Sequence, residues 1–446
     1  VTQIVAFVDE GLGHSSHLID LGDSRALVID PLRIADEQRA YAATAGLEIA
    51  FAADTHTHAD YVSGGSQLAA RGATFLAPAT ARLEARHSPV EDGDTISLGR
   101  FSLRAIATPG HTPDHLAYLL IDGDEAIALF SGGSLMVGTV GRTDLAGASR
   151  TEELARCQYR SLRDRVLTLP DDLTVYPTHG QGSFCSAPGA TRRNTTIGNE
   201  RASNPLLQLD EDAFVEQLVA SLGTLPSYFR RLPEVNRRGP RVYEAVPQLD
   251  RLSAAEVQRH IAAAGVVVDT RPIAAYATAH IEGSISNALR PAFATWLASV
   301  ISADVPIVFV VDDAADLHDV VRQALNVGHE RFAGVLEGGI EMWQTTGHPV
   351  AATQLVDAHQ LDGRVVDVRQ REEFESGHLP GASNIELGAI ADADIASPVT
   401  LMCGHGERAM TAASLLARAG VTDLRVFAGG LDDWSRATRH TLESGT

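Results

Sequence analysis

Lysine is absent from this chain. All 36 basic residues are arginine, set against 57 acidic ones for a net charge of −21. A Schiff-base lysine is thereby excluded, and the acidic balance argues against nucleic acid and anionic membrane surfaces as partners. Cysteine is scarce. Cys157, Cys185 and Cys403 lie far apart, an odd set that fits free thiols in a reducing cytoplasm rather than a disulfide framework. No stretch of about twenty apolar residues occurs, so no transmembrane helix is expected. Gln3–Val8 reads as a strand with neither a basic flank nor a long apolar core, so no signal peptide is expected. A chain of 446 residues is long enough for about three domains.

Histidine is what stands out among the residues present. Thr55-His56-Thr57-His58-Ala59-Asp60 follows the apolar run Ile49–Ala53. Two histidines at i and i+2 at a strand end point the same way, and a carboxylate two residues further on can share their pocket. His111 follows in Thr108-Pro109-Gly110-His111-Thr112, and His179 in Tyr176-Pro177-Thr178-His179-Gly180. Neutral imidazole suits zinc, iron, nickel and copper.

His-x-His-x-Asp, Thr-Pro-Gly-His-Thr, Gly141-Arg142-Thr143-Asp144 and Pro-x-His-Gly together resemble the metallo-β-lactamase superfamily. Within it, residues 1–243 are most similar to the persulfide dioxygenases. The resemblance implies an αββα sandwich and one Fe(II) per chain, held by two histidines and an aspartate. His56 and His111 match the two histidines. The aspartate position falls on Gly133, in Phe130-Ser131-Gly132-Gly133, so the usual carboxylate is missing. Either His58 completes a three-histidine set, or Asp60 reaches in, or the site is weak, empty or zinc-binding. His58 is taken as the third ligand. Tyr61 stands where the superfamily has a further histidine, which argues against a binuclear centre. Asp60, Tyr61, His179 and Cys185 are assigned to the substrate pocket. Arg142 and Asp144 are expected to pair beneath the site, and His17 and His115 to lie at the surface. The Pro- and Arg-rich segment Leu225–Arg241 reads as a strapped extension and linker without chemistry.

After residue 250 the chain repeats itself. Val267-Val268-Asp269-Thr270-Arg271 recurs as Val365-Val366-Asp367-Val368-Arg369, an offset of 98, and His280-Ile281-Glu282-Gly283 as His378-Leu379-Pro380-Gly381. Gly338-Gly339-x-x-x-Trp343 matches Gly429-Gly430-x-x-x-Trp434. These pieces resemble rhodaneses, α/β sulfurtransferases. Domains are expected at 1–243, 250–352 and 353–446.

The two copies differ chemically. In the second, an apolar strand runs into Cys403-Gly404-His405-Gly406-Glu407-Arg408 and then a helix. Backbone N–H groups at such a helix start favour thiolate and bound anions. Cys403 is the expected persulfide carrier, and Arg408 offers a guanidinium fork to sulfur oxyanions. In the first copy Val311 replaces the cysteine and Asp316 the arginine, so that copy is read as inactive.

The combined expectation is a cytoplasmic, homo-oligomeric enzyme of sulfur metabolism. Its resemblances imply oxidation of a low-molecular-weight thiol persulfide to sulfite, coupled to sulfur transfer with thiosulfate or sulfite. Two alternatives stand beside it: a sulfurtransferase whose metal-poor N-terminal domain only binds substrate or a partner, and a zinc-dependent thioester or lactone hydrolase.

Overall fold

Alternating apolar residues build the first pair of layers. The computed structural model describes residues 3–180, 182–185, 192–361 and 363–445. Six strands form one sheet in sequential order: β1 (Ile4–Asp9), β2 (His14–Asp20), β3 (Arg25–Ile29), β4 (Glu48–Ala53), β5 (Thr74–Pro78) and β6 (Ser88–Val90). The second sheet contains β7 (Thr95–Leu98), β8 (Phe101–Ala107), β9 (Leu116–Asp122) and β10 (Glu125–Gly132). After a short hairpin, β11 (Leu135–Met136) with β12 (Thr139–Val140), it continues with β13 (Thr174–Pro177) and β14 (Thr195–Thr196). Its strand order is β14-β13-β10-β9-β8-β7.

Successive side chains on a strand face opposite ways, and the clusters follow that period. On β3, Leu27 and Ile29 face the second sheet while Ala26 and Val28 face outward. On β9, Leu116, Tyr118 and Leu120 face inward while Ala117 and Leu119 face the outer helices. The inner layer between the sheets is completed by Phe101, Leu103 and Phe130. Outside the first sheet lie Ala42 of helix Asp36–Ala45 and Leu68 of helix Gly65–Ala69. Outside the second lie Ala155 of helix Thr151–Ser161 and Phe214, Val215 and Leu218 of helix Glu211–Ala220. This is the αββα sandwich. Each fully buried Leu or Phe contributes roughly 1.5–3 kcal/mol.

The segment read as a linker is ordered structure. Ser227–Arg230 forms a 3₁₀ turn and Leu232–Arg238 a helix, with Tyr228, Phe229 and Leu232 buried. Its apolar residues supply the anchoring that a Pro- and Arg-rich composition hides.

Two compact units divide between Ala245 and Val246, with the short stretch Leu325–Gly328 grouping with the first. In the second unit the repeat becomes two sheets. The first copy has β15 (Arg251–Leu252), β16 (Val266–Asp269), β17 (His280–Ile281), β18 (Ile285–Ser286), β19 (Ile307–Val310), β20 (Phe332–Leu336) and β21 (Val350–Ala351). Its main sheet runs β15-β20-β19-β16-β18, all parallel, while β17 pairs with β21. The second copy has β22 (Gln354–Val356), β23 (Val365–Asp367), β24 (Ser383–Asn384), β25 (Val399–Met402) and β26 (Leu424–Phe427), ordered β22-β26-β25-β23-β24. Both orders reduce to the same internal sequence of strands. The central parallel strands are buried along their length, so they carry runs such as Ile307-Val308-Phe309-Val310 rather than alternation.

The repeated motifs hold matching contacts. Arg271 clamps Asp269 and donates to Ala279 O at 2.8 Å. Arg369 clamps Asp367 and donates to Gly377 O at 2.7 Å. His280 stacks on Tyr276, and His378 on Phe374. No helix among the described residues is long and apolar enough to cross a membrane.

Candidate functional site

The first centre is organised by a carboxylate that the motifs do not include. Asp30 ends β3 in a left-handed turn at φ 50°. It accepts from Thr55 N at 2.7 Å, Thr55 Oγ1 at 2.8 Å and the Thr178 hydroxyl, and lies 3.1 Å from His58 Nε2. One buried carboxylate thereby ties together the loops after β3, β4 and β13. Burial alone would raise its pKa, but the charge of His58 and these hydrogen bonds hold it below the usual carboxylate range. In return, although burial opposes it, Asp30 lifts His58 to about 8.

Asn236 is a second organiser. Its amide nitrogen donates to His58 O at 2.8 Å and Tyr61 O at 2.9 Å, and its oxygen accepts from Ser63 N at 2.9 Å. The helix within the supposed linker therefore clamps the histidine loop.

The structure brings His56, His111 and His179 together. Their ligand atoms lie within 4.8 Å of one another, and all three are buried. A second set under the same limit is His58, Asp60 and His179, and a third is Asp30, Asp54 and His58. The expected trio of His56, His111 and His58 is not among the sets. His58 turns its Nε2 to Asp30 and stacks on Tyr61, with centroids 4.4 Å apart. His179, assigned to the substrate pocket, stands with the other two instead. Its Nδ1 lies 3.2 Å from Asp60 Oδ2, and that neighbour holds Asp60 at about 2 against the opposing effect of burial.

The imidazoles are poised as neutral donors. His56 Nδ1 meets Thr55 Oγ1 at 2.8 Å, and His111 Nδ1 donates to Arg142 O at 2.8 Å. The Nε2 atoms of His56 and His111 have no hydrogen-bond partner. Burial, reinforced by neighbouring histidines, lowers His111 to about 3 and His56 well below neutral. That is the protonation state a metal needs.

Gly133 carries no ligand, and its surroundings explain what fills the space. A Cβ there would lie 2.2 Å from His111 Cδ2, so the imidazole occupies the volume a side chain would need. Its N–H donates to His115 Nε2 at 2.9 Å, and His115 Nδ1 meets Thr108 Oγ1 at 2.7 Å. His115 is therefore a buried brace, not a surface residue. His17 is also buried, set in β2 against Phe130 and Tyr176 of the opposite sheet.

Arg142 pairs with Asp144 at 2.7 and 2.8 Å and also donates to Phe184 O and Gly223 O. Cys185 is buried, and burial pushes its thiol pKa well up, so it is a poor nucleophile there. Asp30, Asp54, Asn236 and His14, whose Nε2 meets Asp30 O at 2.9 Å, are the site residues that motif reading missed. Only Asp30 left a signal, an acid closing an apolar strand.

The second centre is the Cys403 loop. Cys403 follows β25 and is buried, and Gly406 N–H donates to its Sγ at 3.1 Å. Gly406 has φ 93° and precedes helix Glu407–Arg418, so a residue with a Cβ would be strained at that bend. Gly404, His405 and Glu407 complete the loop. Arg408 makes a two-point pair with Glu373 at 2.6 and 2.8 Å. Trp296 of the first copy lies under the guanidinium at 5.3 Å. Ile273, also of the first copy, approaches Gly406 so closely that a Cβ there would meet its Cδ1 at 2.8 Å. The first copy itself has Val311 and exposed Asp312 and Asp313 at the corresponding strand end, with no thiol.

Comparison with known proteins agrees with this division. The Rhodanese-like domain family matches residues 253–346 and 350–437. Human mitochondrial persulfide dioxygenase is 32% identical over 209 residues, covering 45% of this chain and 74% of that protein. A probable metallo-hydrolase of Burkholderia pseudomallei is 31% identical over 241 residues, covering 47% of this chain and 79% of that protein. The crystal structure of a metallo-β-lactamase from Staphylococcus aureus subsp. aureus COL aligns with a TM-score of 0.66 and 26% identity, over 75% of this chain and 99% of that one. The chain belongs to the persulfide dioxygenase family, joined to two rhodanese-like domains.

Proposed function

We propose that this protein oxidises a low-molecular-weight thiol persulfide to sulfite in its first unit and carries sulfane sulfur on Cys403 in its second. The supporting observation is a pair of buried histidines, His56 and His111, whose Nε2 atoms have no hydrogen-bond partner and share a space with His179. Imidazole donors of this kind fit a single Fe(II) or Zn(II) ion. The proposed native ion is Fe(II), which when bound supplies the oxygen chemistry. The net change is RSSH + O₂ + H₂O → RSH + SO₃²⁻ + 2H⁺. The protein's own part is to fix imidazole tautomers through Arg142 O and Thr55 Oγ1, and to keep the chamber dry around them.

At the second centre, the Cys403 thiolate attacks the outer sulfur of RSSH. The S–S bond breaks, RSH leaves with the proton, and Cys403 retains a persulfide. Attack by sulfite on that outer sulfur releases thiosulfate and restores the thiolate. Gly406 N–H is placed to stabilise negative charge on the sulfur. The domain division that suits this reading is 1–243, 250–352 and 353–446.

The test uses full-length protein purified anaerobically and reconstituted with Fe(II). Oxygen uptake on glutathione persulfide should yield sulfite, and added thiosulfate production should depend on Cys403. Thioester or lactone hydrolysis without persulfide-dependent oxygen uptake would refute the proposal.

A further inference from the structure

The histidine sets in the first unit overlap, and the overlap has chemical consequences. His179 belongs both to the set with His56 and His111 and to the set with His58 and Asp60. An ion in either set claims it. His179 Nδ1 faces Asp60 at 3.2 Å, which leaves Nε2 as the nitrogen to offer a metal. The set with His56 and His111 therefore draws on His179 Nε2, while Nδ1 stays turned to Asp60.

His56, His111 and His179 are mutually inclined at 80°, 65° and 58°, with centroids 4.9, 5.6 and 5.4 Å apart. They converge edge-on rather than stacking. The other nitrogen of His56 meets Thr55 Oγ1 and that of His111 donates to Arg142 O, while that of His179 lies 3.2 Å from Asp60 Oδ2 without a formed hydrogen bond. Metal-bound histidines generally show such outer partners. Each set would leave buried polar atoms unpartnered, His58 Nδ1 and the Asp60 oxygens in one case and the His56 and His111 Nε2 atoms in the other, but only the first satisfies three imidazole Nε2 atoms at once. An ion in the first set leaves His58 with Asp30 and Asp60 with His179, contacts already present.

We infer that this protein holds one metal ion through three neutral histidines, His56, His111 and His179, with Asp60 orienting His179 from behind. This deepens the proposed function and rests on it. The carboxylate normally expected beside the metal, at the position of Gly133, is replaced by an imidazole contributed after β13. An all-imidazole set accepts zinc and cobalt readily as well as iron.

The experiment is metal binding by the full chain, stripped with chelator and titrated with Co(II), read by visible absorption and by elemental analysis after Zn(II) loading. Wild-type protein should bind one ion. His179→Ala and His111→Ala should each weaken binding by more than about 100-fold, and Asp60→Asn by about 10- to 100-fold. His58→Ala should stay within about threefold of wild type, since the outer contact of a non-ligand is all that changes. Loss of binding in His58→Ala with retention in His111→Ala would overturn the inference in favour of the other set. Two ions per chain would also overturn it. X-ray absorption on Zn(II)-loaded wild type counts imidazoles directly, so the question stays decidable if His179→Ala fails to fold: three support the inference, and one or two refute it. A protein that binds metal as described yet consumes no oxygen with persulfide would refute the proposed function while leaving this site standing.

Discussion

Replacing Arg408 with alanine should first of all destabilise the second unit. The guanidinium is 13% exposed and its partner Glu373 41% exposed, joined by hydrogen bonds of 2.6 and 2.8 Å. Exposed pairs contribute about 0–1 kcal/mol, whereas breaking a fully buried pair costs about 3–5 kcal/mol. This pair lies between, so the orphaned Glu373 should cost about 2 kcal/mol. Losing the stack on Trp296 adds about 0.5–1 kcal/mol. For a unit of this size the total lowers Tm by roughly 5–12 °C. The double variant Arg408→Met with Glu373→Gln should recover part of the loss, because no charge is then left unpaired. The pH dependence has a definite sign. Burial would raise Glu373, but the Arg408 hydrogen bond and charge hold it below the ordinary glutamate range. Its contribution is therefore complete above the unfolded pKa and is lost as pH falls through the lower folded value. Wild type and Arg408→Ala should converge in stability at acid pH. Thermal unfolding by circular dichroism at several pH values, with thiosulfate KM measured in parallel, decides the matter. If Arg408→Ala keeps wild-type stability and loses only thiosulfate affinity, the guanidinium is an anion ligand and the ion-pair argument fails.

Cys403→Ser should abolish persulfide-to-sulfite transfer while leaving persulfide-dependent oxygen uptake intact, and Val311→Cys in that background should restore nothing, because the exposed Asp312 and Asp313 beside position 311 repel anions; restored transfer would sink the assignment of the first copy as inactive. Gly133→Asp should lower metal content rather than raise it, since its Cβ would overlap His111 at 2.2 Å; increased metal by elemental analysis would show that His111 yields. Asn236→Ala removes three buried hydrogen bonds to the histidine loop and should cost about 2–3 kcal/mol, with weaker Co(II) binding as a second readout; unchanged binding and Tm would show that the loop holds itself.

The parts legible in sequence were those written locally. His56 and His58 sit in one short motif, the offset of 98 exposes the repeat, and Cys403 announces itself by the glycines on either side of position 405. What escaped depends on chain crossings. His17 is surrounded by Phe130 and Tyr176 only because the two sheets face each other. Asn236 reaches the histidine loop across more than 170 residues of chain, from a segment whose composition suggests a linker. The sequence favours His58 over His179 as the third donor, but the choice turns on which way each ring is held, by Asp60 in one case and Asp30 in the other. The partner of Arg408 was hidden for the same reason: Glu373 meets it from another helix.

Trp296 and Ile273 alter what the loss of a cysteine from the first copy means. That copy has valine where its sibling has the cysteine, yet its side chains line the sibling's Cys403 loop. Excising the first copy to make a smaller sulfurtransferase would strip the loop around Cys403 of its neighbouring wall, and a minimal version would have to carry replacements for both side chains.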